Sequence, residues 1–206
     1  MPAGGKVLTG ISDGVGELHL AVCLRFGEAV AASAGKWERR SPCDAWDARG
    51  VLEHVIGFHD ALLLRPMGLK PDRPRDDPQL RWELTYDRLD KAFDPEKRLF
   101  ERVVDVPALG NDPATQLDAR KLVPNLTRDV LVHTWDLARA VNADDRLNPY
   151  WCELFYADLP TDPDALSASG MFHPAVAVDD EADVQSRLLA RLGRDPAWRS
   201  TDYSSS

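Results

Sequence analysis

Residues 128–140 read RDVLVHTWDLARA, a run whose apolar residues recur at the three- and four-residue spacing of an amphipathic helix. Asp129 and His133 are four residues apart, so on a helix their side chains lie one turn apart on the same face. A carboxylate and an imidazole placed in this way can bind one metal ion if a third ligand comes from elsewhere. His54, within DARGVLEHVIGFHDALL, is the best candidate for that ligand. His54, Asp129 and His133 are therefore candidate ligands of one metal site. The spacing alone is equally compatible with an Asp129 that is solvated at the first turn of its helix and with a His54 that is a hydrogen-bonded core histidine.

The charge balance and the cysteine content restrict the class of protein. The chain of 206 residues carries 25 lysine and arginine residues against 34 acidic ones, a formal net charge of -9. Nucleic acid and anionic membrane surfaces both require a basic footprint, so neither is expected as a partner. No apolar run approaches the roughly 20 residues that span a bilayer, and MPAGGKVLTG lacks the apolar stretch of a secretory signal. Because the three cysteines are scattered and form no CxxC pair, we expect a cytoplasmic protein.

The periodic pattern along the chain predicts an all-α fold. Apolar residues at helical spacing indicate four long helices, and proline or glycine residues separate them. The predicted starts of these helices are Ser12, the residue after Asp47, the segment before Trp82 and the residue after Pro124. We therefore expect an antiparallel up-down four-helix bundle over about residues 12–145.

The remaining segments complete the predicted domain. Residues 105–120 contain the proline, glycine and asparagine residues of a loop. Asn148 and Pro149 form a helix cap and first turn, and they open a short C-terminal helical extension over about residues 146–200. We expect a single domain, 1–206.

Three polar residues are candidates for orienting a ligand or binding a substrate. Asp136 follows His133 by three residues, so it could orient that imidazole or pair with an arginine. Arg139 could bind a substrate carboxylate or be an exposed arginine of the bundle. His173, in the loop GMFHP, could close over the site.

Other residues near these motifs are expected to take no part in the site. His59 follows His54 by five residues, so it points roughly 140° away on a helix and is expected at the surface. His19 has no partner at helical spacing and is expected to be a surface or packing residue. Trp135 is expected in the core.

Three stretches of the chain resemble one family in their order and combination. They are SPCDAWDARGVLEHVIGFHDALL (41–63), RDVLVHTWDLARAVN (128–142) and LLARLGRDPAW (188–198). The first is similar to a Pro-Cys…Trp…His helix, and the second to an acid-x-x-x-His-x-Trp-Asp-Leu-Ala-Arg-Ala signature. The third is similar to the tail of single-domain members. The family is that of the DinB-like metal-binding bundles, in the actinobacterial branch similar to the N-terminal domain of mycothiol-dependent maleylpyruvate isomerase.

The resemblance implies a site and a chemistry. It puts His54, Asp129 and His133 at the family's metal-ligand positions, with Asp129 where several members have glutamate. It implies a divalent metal, in the first place zinc, with nickel, iron and manganese as alternatives, and mycothiol or a similar thiol as cosubstrate. The implied function is that of an enzyme that activates a low-molecular-weight thiol for transfer or isomerisation of a small electrophile.

Two other functions are compatible with the same residues. One is a metal-dependent hydrolase that activates water, and the other is a non-catalytic metal-binding or stress-response bundle. For the enzymes we expect a small-molecule substrate or thiol as partner, and a monomer or homodimer. An open apolar pocket of a few hundred Å³ beside His133 would favour an enzyme, and a site sealed by side chains would favour the binding module.

Overall fold

The computed structural model of the chain describes residues 14–108 and 110–200. These residues are mostly helical, as the sequence predicts, and they include one two-stranded sheet that it does not. The predicted start of the first helix at Ser12 lies outside the described residues. The elements are α1 Val15–Ala32, α2 Ala48–His59, α3 Pro78–Ala92, β1 Val103–Val106, β2 Thr115–Asp118, α4 Ala119–Val141, α5 Pro149–Ala157, α6 Asp164–Ser167 and α7 Val184–Arg191. A π-helical turn, Asp60–Leu64, extends α2, and 3-10 turns occupy Pro95–Lys97 and Leu99–Glu101.

The described chain folds as two compact units. The large unit consists of residues 14–106 and 116–145 with 199–200, and it contains α1 to α4. The small unit consists of residues 107–115 and 146–198, and it contains α5 to α7. In the described part of the chain, no helix has both the length and the apolar character that a membrane crossing requires.

The core of the large unit is formed by its four helices. The helix α1 packs against α3 and α4, and α2 packs against the same two helices. Phe26 of α1 meets Trp82 of α3 edge-on, with ring centroids 4.6 Å apart. Trp135 of α4 is fully buried, as the sequence predicts. Burial of each large apolar side chain contributes about 1.5–3 kcal/mol, so this core is the main source of stability.

Side-chain caps explain where the helices of the large unit begin. Asp47 accepts a hydrogen bond from the backbone N–H of Gly50, so α2 starts where the sequence predicts. Asp118 caps α4 by accepting from the backbone N–H of Arg120. The helix α4 therefore begins at Ala119, five residues before Pro124, and the prediction that it follows the proline is wrong. Pro124 is the sixth residue of this helix and lies beyond its first turn, so it cannot donate the helical hydrogen bond to the carbonyl oxygen of Arg120.

The prediction of a loop over residues 105–120 is also wrong at both of its ends. The strand β1 alternates exposed and buried residues, with Val104 and Val106 buried, and it pairs with β2. Gln116 donates a side-chain hydrogen bond to Asp105 across the pair at 2.8 Å. The proline, glycine and asparagine residues that suggested a loop lie in the connection between the strands.

The small unit is built around α5 and α7, which pack against each other. Asn148 caps α5 by accepting from the backbone N–H of Tyr150, and Pro149 occupies the first turn, as the sequence predicts. Gly193 follows α7 with a φ of 76°. A Cβ at this position would lie 2.6 Å from the carbonyl oxygen of His173, so only glycine fits there.

Candidate metal site

The structure brings together the three side chains that the sequence predicts as metal ligands. His54 lies on α2, and Asp129 and His133 lie one turn apart on α4. Asp129 faces both imidazoles, with Oδ2 3.4 Å from His54 Nε2 and Oδ1 3.5 Å from His133 Nε2. One ligand atom from each of the three residues lies within 4.8 Å of the other two. This donor set belongs entirely to the large unit.

His54 is held between aromatic side chains. Trp46 stacks on its ring with centroids 4.3 Å apart and planes 29° apart, and Phe58 lies at 4.3 Å. The Nε2 atom of His54 is buried, and its 3.4 Å contact with Oδ2 of Asp129 lacks the geometry of a hydrogen bond. A buried nitrogen in this state costs about 1–3 kcal/mol of desolvation, so it is an expected place for an additional partner such as a metal ion.

Asp136 fixes the orientation of His133. Its Oδ2 lies 2.9 Å from His133 Nδ1, and its carboxylate is fully buried. The carboxylate accepts the Nδ1 hydrogen, which leaves the Nε2 of His133 directed towards Asp129. Carboxylate–histidine pairs of this kind orient the ligands of many metal sites. The structure therefore favours the orienting role for Asp136 over pairing with an arginine alone.

The electrostatics of the metal-free site are those of a coupled ion pair. Burial alone would raise the pKa of Asp129, but His133 and His54 outweigh it and hold the pKa well below its usual range. Burial alone would lower the pKa of His133, but Asp129 and Asp136 outweigh it and raise the pKa to about 9. At neutral pH His133 is therefore positively charged, and its Nε2 carries a proton that a metal ion would replace.

The spacing of the donor atoms fits one ion. Two ligands about 2.1 Å from a tetrahedral ion lie about 3.4 Å apart. Each imidazole lies at about this distance from one oxygen of Asp129, His54 from Oδ2 and His133 from Oδ1, and one donor atom from each of the three residues lies within 4.8 Å of the others. The side chain of His133 is 4% exposed, but that of Asp129 is 24% exposed. The carboxylate of Asp129 is therefore partly accessible to solvent.

The segment before α2 shapes the site through Trp46, a role that the sequence analysis missed. Ser41 is buried and donates a hydrogen bond to the carbonyl oxygen of Trp46 at 2.8 Å. A Cβ on Gly50 would lie 2.7 Å from the Cβ of Trp46. Gly50 therefore allows the tryptophan to approach α2 and stack on His54. The signal in the sequence was the unusual pair of glycines flanking His54, of which only Gly50 has this role.

We expect opposite effects when the two glycines of α2 are replaced by alanine. Gly50→Ala displaces Trp46 and lowers the free energy of unfolding by about 1–3 kcal/mol, the usual cost of overpacking. Gly57→Ala meets no described atom within 4 Å and raises helix propensity, so it stabilises by up to about 1 kcal/mol. Urea unfolding of both variants checks the prediction. Equal shifts in both would show that Trp46 does not depend on Gly50.

The other predicted site residues, Arg139 and His173, have surroundings of their own. Arg139 pairs with Asp145 at 2.6 Å and lies over the ring of Trp135, with 5.0 Å from Cζ to the centroid. His173 is exposed and belongs to the small unit. A role of either residue in substrate binding stays a prediction.

His59 is buried, so its predicted surface position is wrong. Its Nδ1 lies 2.7 Å from the carbonyl oxygen of Val55, and its Nε2 lies 3.1 Å from the Nε2 of His19. His19 is also fully buried, and it has the partner that helical spacing did not reveal. This second pair of imidazoles is separate from the three candidate ligands.

A cavity of about 230 Å³ lies between the π-helical turn and β1. Apolar side chains such as Leu63, Met67, Leu99 and Val104 contribute to its lining, and none of the three candidate ligands does. This cavity is therefore not the pocket beside His133 that would favour an enzyme. Comparison of the chain with family models, curated proteins and solved structures gave no match.

Proposed function

We propose that α1 to α4 form an antiparallel four-helix bundle of the DinB-like type, which binds a divalent metal through His54, Asp129 and His133. We further propose that the protein is a metal-dependent enzyme that activates a low-molecular-weight thiol, such as mycothiol, for transfer or isomerisation of a small electrophile. The thiol and the reaction class rest on the three family-like stretches of the sequence.

The buried and unbonded Nε2 of His54 is the observation that carries the metal proposal. In a site with no metal function, such a nitrogen would be expected to have a hydrogen-bond donor. Here it faces a carboxylate that also faces a second imidazole. Two imidazoles and one carboxylate are the ligand set of several catalytic zinc sites, with zinc as the first expectation.

The side chains of the site have distinct tasks in this proposal. When bound, a divalent cation supplies Lewis acidity and lowers the pKa of a coordinated thiol or water. Asp136 keeps His133 in the ligating orientation. Trp46 and Phe58 cover the ring of His54 and exclude water from it. The partly exposed carboxylate of Asp129 marks the side from which a small molecule can approach.

Metal analysis of protein purified without chelator tests the site. We expect His54→Ala and His133→Ala each to hold one equivalent of divalent metal fewer than the wild type, because each removes a ligand. His173→Ala is the matched control, since it removes an exposed histidine of the small unit. If the ligand variants and the control hold as much metal as the wild type, the site assignment is wrong.

An activity screen with and without thiol tests the reaction class. We expect conversion of small electrophiles that depends on added mycothiol and that is lost in His54→Ala. A metal-dependent rate that does not respond to thiol would instead indicate a hydrolase. Metal binding without either activity would indicate a non-catalytic binding bundle.

A further inference from the structure

A second cluster of potential ligands lies buried in the large unit. His19 and Cys23 are one turn apart on α1, and His59 is the last residue of α2. The Nε2 of His19 lies 3.1 Å from the Nε2 of His59 and 3.5 Å from the Sγ of Cys23. All three side chains are at most 1% exposed. The ring of Phe93 lies 5.0 Å from that of His19 and helps to close the cluster.

Hydrogen bonds at the outer nitrogens fix how both imidazoles are protonated. The Nδ1 of His59 faces the carbonyl oxygen of Val55 at 2.7 Å, and because a carbonyl can only accept, this nitrogen carries a hydrogen. The hydroxyl of Thr127 donates to the carbonyl oxygen of Val123 at 2.7 Å. It therefore accepts from the Nδ1 of His19 at 2.9 Å. Both Nδ1 atoms are donors.

The two Nε2 atoms consequently face each other with their lone pairs. In a neutral imidazole only one nitrogen carries a hydrogen, so neither Nε2 can donate to the other across 3.1 Å. The thiol of Cys23 has a single proton and lies next to His19. It can donate that proton to the Nε2 of His19, but the Nε2 of His59 then still faces the Nε2 of His19 without a hydrogen between them. A cation between the two nitrogens removes this conflict.

A proton is poorly suited to that position. Burial lowers the pKa of His59 to about 4, against weaker opposing contributions from Val55, Asp129 and Asp60. Burial and the neighbouring His59 also lower the pKa of His19 well below its ordinary value. The hydrogen-bond geometry, with a donor at each Nδ1 and two facing Nε2 atoms, leaves the position between the rings to a metal ion.

We propose that His19, Cys23 and His59 form a second metal site, which takes a thiophilic ion, either zinc or cuprous copper. The ion replaces the thiol proton of Cys23, which leaves to solvent, and bonds to the sulfur and to both Nε2 atoms. Ligands of one tetrahedral ion lie about 3.4 Å apart for two nitrogens and about 3.6 Å apart for nitrogen and sulfur. The observed 3.1 and 3.5 Å separations require only small movements.

The surroundings orient and enclose the three ligands of this ion; three ligands suit cuprous copper, whereas zinc would take a fourth. The two Nδ1 hydrogen bonds orient both rings, as is usual for ligating histidines. The ion would join α1 to α2, and Thr127 would link it to α4. A thiolate ligand selects zinc or cuprous copper, whereas the site of His54, Asp129 and His133 contains no sulfur. The two sites therefore differ in whether sulfur binds the metal, which a spectrum can measure.

Cobalt substitution of the full-length protein tests the zinc form of the proposal. With Co²⁺ added under anaerobic conditions, we expect a thiolate-to-cobalt charge-transfer band in the near ultraviolet, which only a sulfur ligand can produce. Cys23→Ser and His59→Gln abolish the band, and His54→Ala leaves it unchanged. Cys152→Ser is the matched control, because it also removes a buried thiol, but one that belongs to the small unit.

Competition for Cu⁺ tests the copper form. We expect the wild-type protein to retain one equivalent of Cu⁺ against the chelator bathocuproine, and Cys23→Ser to lose it. If a variant does not fold, the cobalt band and the Cu⁺ retention of the wild-type protein still test whether a sulfur ligand binds metal. Absence of the cobalt band together with complete removal of Cu⁺ would show that the three side chains are only a hydrogen-bonded network. A cobalt band lost in Cys152→Ser rather than in Cys23→Ser would also overturn the assignment. The site of His54, Asp129 and His133 is tested separately, by the metal content of His54→Ala and His133→Ala.

Discussion

Replacement of Arg73 with methionine is expected to lower the free energy of unfolding by about 3–5 kcal/mol, the usual cost of leaving one partner of a buried ion pair alone. Arg73 donates two hydrogen bonds of 2.8 Å to the carboxylate of Asp60. The two side chains are 4% and 9% exposed. Lys70, at 3.9 Å and 41% exposed, compensates little of the remaining charge. Asp60 opens the π-helical turn after α2, so its loss of a partner also loosens the segment next to His59.

The ion pair of Arg81 with Glu53 is the matched control. It also has two hydrogen bonds, from Nε and Nη2 of Arg81 at 2.8 and 2.6 Å, but the carboxylate is 37% exposed. We therefore expect Arg81→Met to cost about 1 kcal/mol or less. Urea unfolding of both variants measures the difference. The double variant Asp60→Leu with Arg73→Met should regain part of the loss, because no unpaired charge remains. Equal losses in Arg73→Met and Arg81→Met would mean that burial does not govern the cost.

The features that could be predicted from the sequence are those set by local geometry. Helical spacing fixes Asp129 and His133 on one face whatever surrounds them. The caps at Asp47 and Asn148 depend on residues two or three positions away. Local geometry could not predict that His54 lies next to Asp129 and His133. That prediction came from the three family-like stretches.

The features that could not be predicted depend on partners far apart in the chain. His19 meets His59 across 40 residues and Thr127 across 108 residues. Periodicity within one helix gives the direction of a side chain relative to its own neighbours, but not which helix it will face. His19 on α1, which lacked a partner at helical spacing, was therefore expected to be a surface or packing residue, and His59 on α2, which is turned away from His54, was expected at the surface. In the structure they are buried against each other.

The boundaries of α4 and the small sheet were missed for a different reason. Proline was taken as a helix start, but the side-chain cap at Asp118 moves the start five residues earlier, and Pro124 lies inside the helix. The strands contain only four residues each. Segments this short show too little alternation to stand out beside the turn residues between them.

Asp136→Asn is expected to weaken zinc binding at the site of His54, Asp129 and His133 by about 10- to 100-fold at pH 9, as is typical when a ligand-orienting carboxylate is lost. The buried carboxylate of Asp136 holds the Nδ1 of His133 at 2.9 Å. An asparagine offers no charge, so the imidazole is less basic and its orientation is less restricted. Asp145→Asn is the control. This substitution also removes a carboxylate, but one that lies just beyond α4 and pairs with Arg139.

The same substitution has an opposing effect at lower pH. In the wild type, Asp129 and Asp136 outweigh burial and raise the pKa of His133 to about 9, so at pH 7 a metal must displace a proton at a cost of about 100-fold in affinity. Removing Asp136 lowers that pKa and reduces the competition from protons. We therefore expect the ratio of wild-type to Asp136→Asn affinity to be smaller at pH 7 than at pH 9. Chelator-buffered zinc titrations in a Cys23→Ser background measure both ratios. An equal ratio at the two pH values would contradict the raised pKa, and an unchanged affinity at pH 9 would contradict the orienting role of Asp136.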